Sequence, residues 1–183
     1  MNDEIRLIRK VQKNADKDAA DILIRKYYDE IYKYVYKQAS DKHSALDLTQ
    51  EIFISMFRTI NLYDNKKAGF RTWLYRIATN KIIDHHRSRA VSRTQILNLD
   101  DFDIADEENF ARQIEDSDLI LRIKDYIGTF EADIQRIFRL KVFGEYTFAE
   151  IAKMTELSEP TAKTKYYRTM KILRKEFQHE YNS

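Results

Sequence analysis

Three groups of residues in this chain have the types and spacing for chemistry. Asp84, His85 and His86 are consecutive, and a carboxylate beside two imidazoles is a familiar metal donor set. Asp47 and Glu51 stand four positions apart, which sets two carboxylates on one helical face. There they could act as an acid–base pair or meet basic groups on a partner. The stretch "FRTWLYRIATNKIIDHHR", 70–87, interleaves aromatic and basic side chains in the manner of a path for nucleic acid. The metal reading fails on geometry, because helical neighbours project about 100° apart and paired helical ligands favour i,i+4. The catalytic reading of Asp47 and Glu51 lacks a nucleophile or metal ligand in the surrounding pattern. The expectation is therefore no catalytic residue, no metal and no cofactor, which leaves a core helix with an ordinary charged face or a surface for nucleic acid.

Charge is segregated along the chain. The whole chain carries only +2. Yet Lys66 to Arg93 holds eight basic residues against Asp84, a local +7, while Leu99 to Asp118 holds nine acids against Arg112, a local −8. A basic block followed by an acidic block in a nearly neutral chain divides it into parts with different tasks.

The elements that must position these residues are helices. Among 183 residues there are three Gly, one Pro and no Cys, so propensity favours helix throughout and disulfide or thiolate–metal schemes are excluded. With 43% hydrophobic residues, the chain can supply one ordinary core or two small ones. "MNDEIRLIRKVQKN" has no apolar run resembling a leader, and no stretch approaches the roughly 18 apolar residues of a membrane span. A soluble, cytoplasmic, all-α protein is expected.

Periodicity predicts a short helix over 4–13, with Ile5, Ile8 and Val11 on one side. A long helix follows over 18–39, with Ile24, Tyr28, Ile31 and Val35 inward. After the polar break "SDKHS" comes a helix over 44–60 with the stripe Leu48, Ile52, Met56 and Ile60. "NLYDNKKAG" reads as a loop. The 70–87 stretch opens the third long helix, with Phe70, Trp73, Leu74, Ile77 and Ala78 inward. These make an N-terminal domain of three or four helices over 1–90. Residues 91–117 read as an acidic linker whose Ile96, Leu97, Leu99, Phe102, Ile104 and Phe110 could dock in a partner groove. A second helical domain covers 118–183. In it Leu119, Leu121, Ile123 and Ile127 start a pattern that Gly128 breaks, and Ile134, Ile137, Phe138, Leu140 and Val142 resume it. Gly144 then ends the helix in a left-handed cap.

The last segment, "YTFAEIAKMTELSEPTAKTKYYRTMKILRKEF", holds the clearest local signal. Thr147 and Glu150 have capping-box spacing, with Phe148, Ile151 and Ala152 inward. Ser158 can cap a second helix that carries Glu159 and Pro160 in its first turn. On that helix Ala162, Tyr166, Met170, Leu173 and Phe177 form an apolar side. Lys163, Tyr167, Lys171 and Arg174 form another, and the net charge from Glu159 to Phe177 is +4. Short helix, tight turn and basic amphipathic helix make a helix-turn-helix, whose second helix enters the major groove. Glu156 stands where such turns often have glycine, which requires either a negative-φ turn or strain.

"ALDLTQEIF", then "FRTWLYRIATNKIIDHHR", an acidic linker and this helix-turn-helix together resemble bacterial sigma factors of the extracytoplasmic-function (ECF) group. The resemblance covers roughly 18–90 and 118–178. It implies a non-catalytic subunit that directs RNA polymerase to promoters and assists strand opening at the −10 element. Asp47, Leu48, Thr49, Gln50, Glu51 and Phe53 would dock on the β′ clamp helices of core polymerase. Asn61, Tyr63, Asn65, Lys66 and Lys67 of the loop would handle the −10 element, with Arg71, Tyr75, Arg76, Asn80 and Lys81 of the following helix. Ser158, Glu159, Pro160, Lys163, Thr164, Tyr167 and Arg168 would face the −35 element, with Lys165 and Lys171 on phosphates. The resemblance further implies contact with the β flap, a monomeric protein, and an anti-sigma factor that covers these surfaces. Departures concern the −35 contacts: "IGTFEAD" replaces a usual proline, and Pro160 and Ala162 stand where Gly and Val are more usual. The alternative is a free-standing helix-turn-helix regulator that binds an operator as a dimer without polymerase.

Overall fold

The computed structural model describes residues 3–39, 41–89 and 117–181. Among them lie eight α-helices: α1 (Asp3–Asn14), α2 (Lys17–Tyr36), α3 (Lys42–Thr59), α4 (Phe70–Arg89), α5 (Ser117–Ile127), α6 (Ala132–Val142), α7 (Phe148–Thr155) and α8 (Glu159–Tyr181). A single 3-10 turn, Ile60–Leu62, follows α3. The chain divides into two compact units, Met1–Ile82 and Ile83–Ser183, so the division falls inside α4. The apolar residues expected in the linker lie outside the described residues, and Ser117, placed in that linker by sequence, is the first residue of α5.

In the N-terminal unit, side chains set the helix starts. The carboxylate of Asp16 accepts from the Ala19 amide at 2.9 Å to begin α2, and Asp41 accepts from the Ser44 amide at 2.9 Å to begin α3. The α3 stripe is as its spacing predicts: Leu48, Ile52, Met56 and Ile60 are all buried. Burial of each such side chain contributes about 1.5–3 kcal/mol. On α2 the second half of the expected stripe, Ile31 and Val35, is buried as its spacing predicts, and the first half is displaced by one residue. Leu23, Tyr27, Ile31 and Tyr34 fill the core, whereas Ile24 and Tyr28 sit half-buried at its rim. The cause is tertiary. Tyr27 lays its ring 5.5 Å from that of Phe70, and its hydroxyl donates to Glu4 of α1. With tyrosines at both 27 and 28, spacing alone could not choose between them. Trp73 and Ile77 are likewise half-buried rather than fully inward.

In the C-terminal unit, Ile123 and Ile127 of α5, Ile134, Ile137, Phe138 and Leu140 of α6, and the apolar side of α8 form the core. Leu121, expected inward, is exposed. Gly128 follows the last residue of α5, where the predicted break falls. Gly144 departs from expectation. Its φ is not positive; the left-handed residue is Glu145, with φ 57°. Gly144 is instead needed for close approach, because a Cβ there would lie 2.9 Å from the Leu140 carbonyl oxygen and 2.9 Å from the Tyr146 ring. This core also encloses two cations, Lys124 and Arg139. Burial, and then repulsion from Arg139, pushes the Lys124 ammonium down to about 8.

Candidate nucleic-acid interface

The helix-turn-helix forms from its own caps. Thr147 and Glu150 make the predicted capping box: the Thr147 amide donates to the Glu150 carboxylate at 2.9 Å and the Glu150 amide to Thr147 Oγ1 at 3.3 Å. Helix α7 then ends at Glu156, which takes φ 61° and ψ 24°. The turn is therefore left-handed, not the negative-φ alternative, and a non-glycine residue there costs roughly 1–2 kcal/mol. Ser158 caps α8, its Oγ accepting from the Thr161 amide at 3.2 Å.

On α8, Ala162, Tyr166, Met170, Leu173 and Phe177 are all buried, as the stripe predicts. That leaves Lys163, Thr164, Lys171, Arg174 and Lys175 exposed. Ser158 and Pro160 are also exposed, and Glu159, Tyr167 and Arg168 are half-buried. Lys163 pairs with Glu159 at 2.8 Å, and that hydrogen bond and charge raise its pKa. Lys165 is half-buried, 4.0 Å from Asp133 of α6. The exposed side of α8 thus carries Lys163 about one turn and Lys171 just over three turns beyond a capped N-terminus, the arrangement for phosphates and base edges in a groove.

In the N-terminal unit the loop between α3 and α4 is built from below. Gln12 of α1 donates from Nε2 to the Ile60 carbonyl at 2.8 Å and to the Tyr63 carbonyl at 3.1 Å, spanning the 3-10 turn. Asp64 accepts from the Lys66 amide at 2.9 Å in a local turn. The Tyr63 ring is buried edge-on to Phe70 at 5.3 Å, and its hydroxyl donates to the Ala68 carbonyl at 3.1 Å. Tyr63 is therefore the loop's anchor, not an exposed contact. Asn61, Leu62, Asn65, Lys66 and Lys67 face outward, Leu62 at 80% exposure.

The expected track along α4 is divided among three directions. Arg71 donates to Glu30 of α2 and lies 4.8 Å over the ring of Tyr75. Tyr75 is buried, and its hydroxyl also donates to Glu30, at 2.9 Å. This removes Tyr75 from the open surface. Lys81 is half-buried and turns toward α3, 3.6 Å from Glu51. Arg76, exposed, and Asn80, half-buried, share one face by their four-residue spacing, with exposed Arg87 seven residues beyond Asn80.

On α3 the expected docking residues also separate. Asp47, Gln50 and Glu51 are exposed. Leu48, Thr49 and Phe53 are buried and offer no docking surface. The Thr49 hydroxyl is spent on the Ala45 carbonyl at 2.7 Å, and Phe53 stacks on Tyr28 of α2 at 6.0 Å. Ile54, which sequence reasoning passed over, is half exposed beside Gln50 and Glu51. Asp84 is exposed, and the rings of His85 and His86 stand 83° apart. No group placed to hold a metal occurs among the described residues. Nor is any described helix long and apolar enough to cross a membrane.

Comparison with known proteins gives these surfaces a common setting. Residues 23–91 match the family described as Sigma-70 region 2, and residues 122–173 match Sigma-70, region 4. The ECF RNA polymerase sigma factor SigW of Bacillus subtilis is 31% identical over 173 residues, covering 90% of this chain and 91% of that one. The chain belongs to the ECF sigma factors of RNA polymerase. Another ECF sigma factor, SigX of Bacillus subtilis, is 26% identical over 84% of this chain and 81% of its own length. The solved structure of CnrH in complex with the cytosolic domain of CnrY shares the fold, with TM-score 0.61 at 18% identity over 97% of both chains. In this sigma factor, region 2 therefore carries the α3 face, the loop and α4, and region 4 carries the helix-turn-helix. Helix α1 precedes the region 2 match, so neither family description reaches Gln12. Its partners lie 48 and 51 positions away, beyond any local spacing rule.

Proposed function

We propose that this ECF sigma factor brings core RNA polymerase to its promoters, holds the −10 element opened, and reads the −35 element, without being an enzyme itself. The observation that carries the reading is the presence, in one chain, of both sigma regions with a polar surface on each: the basic side of α8 and the loop-plus-Arg76 surface beside α4.

In this reading residues 1–90 handle polymerase and the −10 element, 91–117 connect, and 118–183 handle the −35 element. Asp47, Gln50 and Glu51 face the basic side of the β′ clamp helices, and Ile54 supplies the apolar contact beside them. Asn61, Asn65, Lys66, Lys67, Arg76 and Asn80 meet the opened strand, where amides can hold an extruded base and cations its phosphates. Lys163, Thr164, Tyr167 and Arg168 face −35 base edges, and Lys171 a phosphate. Region 4 also meets the β flap. The protein works as a monomer in the cytoplasm until bound by polymerase or held by an anti-sigma factor. CnrH, in its complex with the cytosolic domain of CnrY, offers a parallel.

Transcription in vitro with core polymerase, with start sites mapped, tests this. Lys163→Ala with Arg168→Ala is expected to cut initiation at −35-dependent promoters roughly tenfold or more, at about 1–3 kcal/mol per base contact, while leaving polymerase capture intact. Asp47→Lys with Glu51→Lys is expected to abolish capture. Strong capture by the latter variant refutes the α3 assignment. Promoter binding by the free protein at full affinity refutes the sigma reading.

A further inference from the structure

Helix α1 turns a basic face outward, away from the core of the N-terminal unit. Arg6, Arg9, Lys10 and Lys13 are all exposed. At about 100° per residue they fall within an arc of about 100°. The acids of the helix, Asp3 and Glu4, occupy its first turn, where the helix dipole accounts for them, and Glu4 is engaged by Lys26 and Tyr27. Lys10 lies 3.8 Å from Asp16, past the far end of α1. An ordinary solvated face mixes signs, as on α2, where Arg25 pairs with Asp21 at 2.8 Å. Here Arg6 and Lys10, and Arg9 and Lys13, are like-charged i,i+4 pairs, which weaken an isolated helix. An anionic partner turns that cost into attraction.

The position of the row identifies the partner. Gln12 fastens α1 to both carbonyls flanking the 3-10 turn at the base of the loop. Arg9 projects about 60° around the helix from Gln12, on the side leading to the row. Arg9 is therefore the edge of the row on the side of the loop, whose Asn61, Leu62 and Lys66 are exposed. We propose that the outer face of α1 is a phosphate-binding surface for the promoter strand that the loop holds. The proposal rests on the reading of that loop as the −10 element's reader. It extends DNA contact to a helix that lies ahead of the region 2 match.

The test uses holoenzyme reconstituted from the full chain and core polymerase, with a fluorescent single-stranded −10 oligonucleotide from a mapped promoter. Affinity is measured across salt concentrations. Each phosphate that a protein neutralises on a single strand adds roughly 0.7 to the slope of log Kd against log salt. Arg6→Gln, Arg9→Gln and Lys13→Gln combined are therefore expected to make that slope shallower by about 2. Base preference within the −10 element is expected to stay unchanged. The charge-keeping set Arg6→Lys, Arg9→Lys and Lys13→Arg is expected to retain the slope, which separates phosphate binding from damage to the helix. An unchanged slope in the glutamine variant overturns the proposal. If that variant also loses binding to phosphatidylserine vesicles that the parent chain binds, the face belongs to a membrane surface instead. Failure of the loop reading has a different signature: Asn61→Ala with Asn65→Ala would leave −10 base preference unaltered, whatever the salt slope of the α1 variant.

Discussion

Gln12 shows how much a single amide can determine. One Nε2 group satisfies two carbonyls, those of Ile60 and Tyr63, and thereby sets the path of the chain just before its exposed Asn65, Lys66 and Lys67. Methionine at this position would keep the length and volume but donate nothing, leaving both part-buried carbonyls without that partner. Gln12→Met is expected to lower the stability of the N-terminal unit by about 1–2 kcal/mol and to flatten base preference at the −10 element. Denaturant unfolding and transcription from single-base −10 variants would measure the two effects. Retained base preference in a destabilised protein would mean the loop keeps its shape without the amide.

At the scale of elements, the connections into and within the helix-turn-helix show two different uses of backbone freedom. Gly144 lacks a positive φ but has no room for a side chain, whereas Glu156 is exposed but has an unfavourable, left-handed φ. Substitution should therefore act in opposite senses. Gly144→Ala forces a Cβ against the Leu140 carbonyl and is expected to cost about 1–3 kcal/mol. Glu156→Gly relieves left-handed strain, offset by the greater freedom of glycine in the unfolded chain, for a gain of at most about 1 kcal/mol. Thermal unfolding of the two variants would rank them, and a destabilised Glu156→Gly would show that its side chain matters more than its backbone.

The same contrast explains what the amino-acid sequence made legible. The stripes of α3 and α8 were readable because each has a clean three-and-four spacing and one buried side. Only the first half of the α2 stripe is offset, because tyrosines at 27 and 28 satisfy either register and Glu4 and Phe70 choose between them, while Ile31 and Val35 are buried as expected. The binding motifs were harder. A contiguous string such as "DLTQEIF" winds around its helix, so Leu48, Thr49 and Phe53 fall inside while Asp47, Gln50 and Glu51 fall outside. Tyr63 and Tyr75 are of the right type for a base platform, yet their rings are core. Residue type suggested the chemistry; only packing could say which side chains remain to perform it.

For the molecule as a whole, the two units should respond to alkali in opposite directions. Tyr27, in the N-terminal unit, has its ionisation pushed well above the ordinary value of 10.0 by burial and by its hydrogen bond to Glu4. Above pH 10 the unfolded chain releases that proton while the folded unit keeps it, so the N-terminal unit loses stability as pH rises. Lys124, in the C-terminal unit, is pushed down from 10.5 to about 8. Between those values the unfolded chain holds a proton that the folded unit has shed, so stability grows, on the order of 2 kcal/mol over that window. Unfolding followed at pH 8 and pH 10.5 is expected to show the C-terminal transition moving up, and Lys124→Met should abolish that movement. An unmoved transition would mean the Lys124 ammonium is hydrated in the folded protein. The fastening of α1 has a practical corollary for such experiments. Gln12 lies nine residues from Asp3, about 14 Å along the helix axis. A dye attached at Asp3 thus sits about that far along the helix from the amide that holds the base of the loop. On the proposed reading of that loop, such a dye is expected to report promoter melting locally, and a bulky group there to hinder it.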